Sequence, residues 1–193
     1  DTPRRVNWII NRAKQTAAAK VYPVGAVTVG LKGRKLTQIL QMKRAGCAAF
    51  SDDGHCVMND DVLRRALQLC KKARAPLIEH AEDETLSHGG SLNEGKTASE
   101  LGCLGIQRES ETIMVARDIL LAQETNSPIH CAHVSTHESV ELIRAAKKMG
   151  IPVTAETCPH YFTLTEESVK QHGTHAKMKP PLRTHEDRLA VIR

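Results

Sequence analysis

The stretch Pro76-Leu77-Ile78-Glu79-His80-Ala81-Glu82-Asp83 is the most informative part of the sequence for the fold. A short apolar run ends here in three carboxylates and a histidine, which is typical of a buried parallel strand whose C-terminal end opens into a polar site. Functional residues of parallel α/β folds lie at that end, because the loops that leave the strands meet there. We therefore interpret this stretch as the central strand of a parallel sheet.

Two further stretches have the same form. Residues 47–54 are an apolar strand that ends in the pair Asp52-Asp53, and residues 128–135 are an apolar strand that ends at His133. If the three strands are parallel neighbours, one Asp and two His side chains meet at one rim, and these ligand types suit a zinc-type ion. Side chains alternate along a strand, so one acid of the pair should point inward and the other into the loop. Spacing does not choose between them.

Each of these residues also has a purely structural interpretation. A single histidine at a strand end is more often a packed side chain than a metal ligand, and an Asp-Gly pair such as Asp53-Gly54 is common wherever a strand turns. His130 and His133 lie an odd number of residues apart, so only one of them can face a rim site. Lys179, which precedes two prolines, is either a solvated charge or a contact for an anionic ligand.

Composition limits the class of protein. The 193 residues are 40% hydrophobic and 25% charged, as in an ordinary globular domain. Aromatic residues make up 3% and the net charge of +5 is spread along the chain, so nucleic-acid binding is not favoured. The six cysteines form no C-x-x-C pair, and neither a signal peptide nor an apolar run of about 18 residues occurs. These features predict a cytoplasmic protein without a membrane span or a disulfide framework.

Helical and extended patterns alternate along the chain. The predicted helices are residues 1–20, 35–45, 59–73, 110–124, 135–149 and 165–169, with a last helix from Thr184; the predicted strands are residues 20–30, 47–53, 76–83, 128–133 and 151–157. Ser135 to Glu138 matches a capping box for the helix that follows. Alternation of this kind predicts a parallel sheet with right-handed crossovers.

The alternation also narrows the fold. About five β/α units are present, without a Gly-x-Gly-x-x-Gly motif or a P-loop, which disfavours a nucleotide-binding domain. The remaining possibility is part of a (β/α)₈ TIM-type barrel, which usually needs about 250 residues. We therefore predict an α/β fold in which residues 1–193 form one domain, the central portion of an incomplete barrel.

Several motifs together resemble those of bacterial-type dihydroorotases of the amidohydrolase superfamily. They are Phe50-Ser51-Asp52-Asp53-Gly54, His80-Ala81-Glu82-Asp83, Asn93-Glu94-Gly95, Ala132-His133-Val134-Ser135-Thr136 and Lys177 to Arg183. Linked motifs in the family order are more specific than any single one. The resemblance implies a metal-dependent hydrolase whose barrel rim holds one or two zinc ions. It further implies that Asp53 is the bridging ligand and that His80 and His133 are single histidine ligands.

Other parts of the family pattern are missing or altered. The resemblance would place a His-x-His motif before Asp1, and an Asp that serves as metal ligand and proton shuttle after Arg193. The family usually has a substrate-binding Asn where this chain has Lys179. We therefore expect the 193 residues alone to lack turnover and to bind any zinc weakly, with Lys179 as an altered substrate contact.

The activity implied by the resemblance is that of a dihydroorotase, the reversible cyclisation of N-carbamoyl-L-aspartate to dihydroorotate in pyrimidine biosynthesis. One alternative is an allantoinase- or hydantoinase-type hydrolase, because residues 156–161 resemble the allantoinase form. Those enzymes bridge their metals with a carboxylated lysine, whereas this chain has Asp-Asp-Gly at that place. Another alternative is a non-catalytic dihydroorotase-like partner of aspartate transcarbamoylase. For the complete enzyme the resemblance implies a homodimer.

Overall fold

The computed structural model describes residues 1–87 and 89–193, which fold as two compact units. The first unit comprises Asp1–His80 and Leu120–His130, and the second comprises Ala81–Ile119 and Cys131–Arg193. None of the described helices is long and apolar enough to cross a membrane. That residues 1–193 make one domain stays a prediction.

Helices and strands alternate along most of the described chain. The α-helices are α1 (Pro3–Thr16), α2 (Ile39–Arg44), α3 (Asp60–Ala73), α4 (Glu84–Ser87), α5 (Lys96–Glu100), α6 (Glu109–Thr125), α7 (His137–Lys148), α8 (Pro159–Thr163), α9 (Ser168–His172) and α10 (His185–Ile192). The strands are β1 (Val24–Gly25), β2 (Ala49–Phe50), β3 (Leu77–Glu79), β4 (Leu92–Asn93), β5 (Gly105–Ile106), β6 (Ile129–Cys131) and β7 (Val153–Ala155). Short 3₁₀ helices cover Val29–Leu31 and Gly173–Ala176.

The first unit contains parallel strands. β1 pairs with β2, with Val24 opposite Ala49, and β2 pairs with β3, with Phe50 opposite Leu77. The start of β6, at Ile129, follows β3 in the strand order. Phe50, Leu77 and Ile129 are fully buried. Parallel strands are covered on both faces, which is why they appear in the sequence as short continuous apolar runs.

Helix α3 in the first unit follows its sequence pattern. The side chain of Asn59 accepts a hydrogen bond from the backbone N–H of Val62 and so caps the helix. Asp60 and Asp61 occupy the first turn, where the helix dipole favours negative charge. The buried face consists of Val62, Leu63, Ala66, Leu67 and Cys70. The predicted start of this helix is confirmed.

The prediction of a strand at residues 20–30 is wrong for most of those residues. Only Val24–Gly25 is extended and paired, and a 3₁₀ helix follows at Val29–Leu31. The backbone N–H groups of Val27 and Thr28 donate to the buried carboxylate of Asp52, at 2.8 and 3.0 Å. Because a side chain occupies these two donors, they do not extend a strand ladder.

The second unit contains the end of β6 and the strand β7. The carbonyl of Cys131 accepts a hydrogen bond from the N–H of Glu156 at 3.1 Å, and Val134 N–H donates to the Glu156 carbonyl at 2.9 Å. Strands β4 and β5 form a separate parallel pair, with Leu92 opposite Gly105. A small apolar cluster of this unit is built from Tyr161, Ala176 and Leu182.

The capping box predicted from Ser135 to Glu138 is also wrong. Thr136 is the N-cap of α7, and its hydroxyl oxygen accepts from the backbone N–H three residues later. The Ser135 hydroxyl donates instead to the carboxylate of Glu111, which lies on α6. The Ser135 side chain, which the local pattern assigned to the helix start, is therefore bound by Glu111, an acid distant in the sequence.

Candidate functional site

The two acids at the end of β2 have different environments, as side-chain alternation predicts. Asp52 is 2% exposed and accepts hydrogen bonds from the backbone of Val27 and from the backbone and hydroxyl of Thr28. The Asp53 side chain is 61% exposed. Asp52 is therefore committed to holding the segment after β1, and Asp53 is the acid that is accessible to a ligand.

Asp53 and His80 lie together in the first unit. Each follows one of the two paired strands β2 and β3, and Asp53 Oδ1 is 3.6 Å from His80 Nδ1. The His80 side chain is only 4% exposed, so its position is restricted by packing. A carboxylate and an imidazole in this arrangement offer oxygen and nitrogen donors of the kind that zinc binds.

A buried carboxylate precedes each of these two residues. Glu79, immediately before His80, is 1% exposed, and its Oε1 accepts hydrogen bonds from Val57 N–H at 2.8 Å and from the Cys56 thiol at 3.3 Å. It thereby connects β3 to the loop that follows Asp53. Sequence reasoning missed this role, although alternation along the strand indicated that Glu79 and His80 face opposite sides.

His133 lies in the second unit, just after β6. Its φ of 38° falls in the left-handed region, which non-glycine residues rarely adopt. Such a conformation costs on the order of 1–3 kcal/mol and persists only where the surroundings hold it. The structure places His133 at a strand end, as predicted. That its side chain meets those of Asp53 and His80 at one metal ion stays a prediction.

Glu111 is the main support of the segment after His133. This carboxylate is 3% exposed and accepts hydrogen bonds from the N–H groups of Ser135 and Thr136, each at 3.0 Å. The hydroxyls of the same two residues also donate to it. Sequence reasoning missed Glu111, because an acid in the first turn of a helix already has an ordinary explanation in the helix dipole.

Arg183 completes this buried network in the second unit. It is 3% exposed, and its guanidinium donates to Asn93 Oδ1 at 2.8 Å and to Ser135 Oγ at 3.1 Å. Burial lowers the pKa of Arg183, while the charges of Glu111 and Asp187 act in the opposite direction. Three stretches quoted for the family resemblance, at Asn93, at His133 to Thr136 and at Arg183, therefore belong to one structural network.

Lys179 has a protein partner. Its Nζ lies 2.9 Å from Glu82 Oε1, with the Lys179 side chain 49% exposed and that of Glu82 8% exposed. Glu82 follows His80 by two residues along the chain. Lys179 and Glu82 also line a small cavity of the second unit together with Glu111 and Arg183. The substrate contact assigned to Lys179 stays a prediction.

The segment after β7 brings a second imidazole near His133 within the second unit. Burial lowers the pKa of His160, and a positive charge on His133 would lower it further. The His160 ring packs edge-on against Tyr161 at 4.2 Å, and the Tyr161 hydroxyl donates to the Pro180 carbonyl at 2.6 Å. The burial of His160, not its contact with Tyr161, favours the neutral form of the imidazole.

The acid pair gives a first testable prediction. Asp52→Ala should lower the free energy of unfolding by about 1–3 kcal/mol, because it leaves the buried N–H groups of Val27 and Thr28 without their acceptor. Asp53→Ala should change it by about 0.5 kcal/mol or less, as is usual for an exposed side chain. Urea unfolding of the metal-free full-length protein measures both. Equal losses in the two variants would contradict the division of roles.

Comparisons with known proteins show the family to which the chain belongs. A family model described as Dihydro-orotase-like matches residues 1–139. The dihydroorotase of Syntrophotalea carbinolica is 50% identical over 191 residues, which cover 99% of this chain and 45% of that protein. The dihydroorotase of Caldicellulosiruptor saccharolyticus is 50% identical over 192 residues, with 100% and 45% coverage. The chain thus spans less than half the length of these curated relatives.

Solved structures show the same fold. An L-hydantoinase from Arthrobacter aurescens superposes with a TM-score of 0.82 at 22% identity, over 98% of this chain and 44% of that one. A D-hydantoinase superposes with a TM-score of 0.66 at 29% identity, over 78% and 35%. These similarities confirm the predicted fold class, an α/β chain with parallel strands that corresponds to part of a (β/α)₈ barrel.

Proposed function

Because this chain belongs to the dihydro-orotase-like family, we propose that its protein is a dihydroorotase, which reversibly cyclises N-carbamoyl-L-aspartate to dihydroorotate. Asp53, His80 and His133 are the proposed ligands of a zinc ion. The observation that carries the proposal is the 3.6 Å approach of the Asp53 carboxylate to the His80 imidazole at the ends of two paired parallel strands. In parallel α/β folds the chemistry lies at that end.

The donors present fit such an ion. Asp53 supplies an exposed carboxylate, and His80 supplies an imidazole whose position is fixed by burial. His133 would add a second imidazole, and a set of oxygen and nitrogen donors is the usual environment of catalytic zinc. When bound there, zinc would polarise a carbonyl group and lower the pKa of water. The protein's part is to hold the donors in place. Glu79 contributes by accepting a hydrogen bond from Val57, which lies in the loop that follows Asp53.

A hydantoinase-type hydrolase is the nearest alternative. The enzymes of that type bridge their metals with a carboxylated lysine, whereas the end of β2 here carries the Asp52-Asp53 pair. Asp52 is occupied by backbone donors and Asp53 is exposed beside His80. An acid is therefore available in the bridging place, and this favours the dihydroorotase reaction.

Turnover by the full-length protein tests this proposal. We expect hydrolysis of dihydroorotate, loss of that activity on zinc removal by a chelator, and its return when zinc is added. Hydantoin and allantoin serve as matched cyclic-amide substrates in the same assay. Faster turnover of either one would favour the hydantoinase-type alternative. Zinc-loaded protein without turnover of any of the three would favour a non-catalytic partner of aspartate transcarbamoylase.

Lys179 gives a second prediction. We propose that it neutralises Glu82 at the mouth of the substrate site, so Lys179→Asn would leave a negative charge that repels the anionic substrate. A half-exposed ion pair contributes up to about 1 kcal/mol, so KM should rise about fivefold with little change in kcat. Steady-state kinetics of the full-length protein measure this. Lys177→Asn, at an exposed lysine two residues earlier, is the matched control. Unchanged KM in Lys179→Asn would place Lys179 outside the substrate site.

The location and the assembly of the complete protein are also proposed. We propose a cytoplasmic enzyme, because its cysteines are free thiols and most of them are buried, as is usual for packing residues of cytosolic proteins. From the family resemblance we propose a homodimer and an association with aspartate transcarbamoylase. Size-exclusion chromatography with light scattering, with and without the transcarbamoylase, tests both associations.

A further inference from the structure

We propose that Glu111 and Arg183 are positioning residues for His133. In this inference, which rests on the proposed function of His133 as a metal ligand, the buried carboxylate and guanidinium hold the turn from His133 to Thr136 in the conformation that a ligand needs. Neither side chain is itself a ligand. They act through the backbone and hydroxyl groups of the two residues that end the turn, Ser135 and Thr136.

The backbone of the turn requires such support. His133 has a φ of 38°, a conformation that an isolated histidine avoids. The N–H groups of the next three residues all have assigned acceptors: Val134 donates to the Glu156 carbonyl at 2.9 Å, and Ser135 and Thr136 donate to Glu111 at 3.0 Å. Two of the three bonds that follow the strained residue therefore end on one carboxylate.

The charge of Glu111 is important because the carboxylate is buried. Glu111 is 3% exposed, and two N–H groups and two hydroxyls from Ser135 and Thr136 converge on it. Hydrogen bonds to an ionised acceptor are about twice as strong as those between neutral groups. Removing only the charge should thus loosen the turn while leaving an acceptor of nearly the same size.

Arg183 supplies the opposite charge and a second anchor. Its Nη2 lies 3.8 Å from Glu111 Oε2, and its Nε donates to Ser135 Oγ at 3.1 Å. Its Nη1 donates to Asn93 Oδ1 at 2.8 Å and to the Ile106 carbonyl at 3.4 Å. The guanidinium therefore connects the turn to β4 and β5, and it compensates a carboxylate that would otherwise be buried alone.

Two readouts test the proposal in Glu111→Gln of the full-length protein. In the metal-free state, amide hydrogen exchange at Ser135 and Thr136 should accelerate about tenfold, because two charge-assisted bonds become neutral ones. Zinc affinity should fall by about 10- to 100-fold, the usual effect of losing a residue that orients a ligand. Glu109→Gln, at an exposed acid in the same helical turn, should leave both values unchanged.

Two further variants keep the outcomes distinct. Ser135→Ala removes one hydroxyl and keeps the charges of Glu111 and Arg183, so it tests the turn even where Glu111→Gln fails to fold. In this variant the amide hydrogen exchange of Thr136 should be about threefold faster. Suppose that Glu111→Gln and Ser135→Ala keep the wild-type exchange rates and zinc affinity, while His133→Ala loses zinc binding. This result would overturn the positioning role and leave the proposed function intact. Unchanged zinc affinity in His133→Ala would overturn the proposed function, and the positioning role with it.

Discussion

His80→Ala is expected to lower kcat/KM for dihydroorotate by about a thousandfold or more in the full-length protein. A catalytic metal contributes several kcal/mol of transition-state stabilisation, and each 1.4 kcal/mol corresponds to about a factor of ten in rate. His80 is packed beside Asp53, the other proposed ligand of the first unit, so its imidazole has a restricted position. Zinc content after dialysis against a chelator should fall in parallel with the activity.

The controls separate ligand loss from unfolding. His172→Ala removes an exposed histidine at the end of α9 and should leave activity and zinc content unchanged. The double variant Asp53→Ala/His80→Ala should be about as inactive as either single variant, because residues that act as one unit give non-additive losses. Thermal unfolding of the metal-free variants shows whether the fold is intact. A folded His80→Ala protein with wild-type turnover would exclude His80 as a ligand.

Arg183→Ala is expected to have the largest effect on stability, a loss of about 3–5 kcal/mol in the free energy of unfolding. The substitution leaves the buried carboxylate of Glu111 without its compensating cation and Asn93 Oδ1 without its donor. Removing one partner of a buried charge pair costs far more than the pair itself contributes. Urea unfolding of the metal-free full-length protein measures the difference.

A surface arginine provides the matched comparison. Arg144 pairs with Glu141 one helical turn away, and both side chains are substantially exposed. Arg144→Ala should change the free energy of unfolding by about 0.5 kcal/mol or less. Removing both buried charges in Arg183→Met/Glu111→Gln should recover part of the loss, because no charge is then left unpaired. A loss below about 1 kcal/mol in Arg183→Ala would contradict the structural role of the network.

Several features that depend on neighbours along the chain were predictable from the sequence, although the capping box predicted from Ser135 was not one of them. The helices predicted from residue 59 and from Thr184 begin there, with Asn59 as the N-cap of one and a capping box of Thr184 with Asp187 in the other. Such contacts are made within one helical turn, so their chemistry is visible in three or four consecutive residues. The short apolar runs likewise indicated buried parallel strands, since strands that are covered on both faces have no polar side.

The candidate ligands were predictable in part. Strand-end patterns located the Asp52-Asp53 pair, His80 and His133, and the family resemblance chose Asp53 from the pair. Spacing could not make that choice, because either acid can precede a turn. The structure shows the physical difference: Asp52 is saturated by the segment after β1, whereas Asp53 is exposed beside His80.

Only the tertiary structure determined which polar groups hold the site in place. Glu111 reaches Ser135 across 24 residues, and Arg183 reaches Asn93 across 90. Lys179, which local sequence left as either a solvated charge or a contact for an anionic ligand, pairs with Glu82 in the folded second unit. Contacts between residues so far apart in sequence arise when folding buries charged groups together. A buried charge without a partner is costly in free energy, so the fold that forms is one in which such charges are paired. No local pattern shows which distant residues will pair. The sequence alone therefore identified the strand ends that carry the candidate ligands, but not the residues that hold those segments in place.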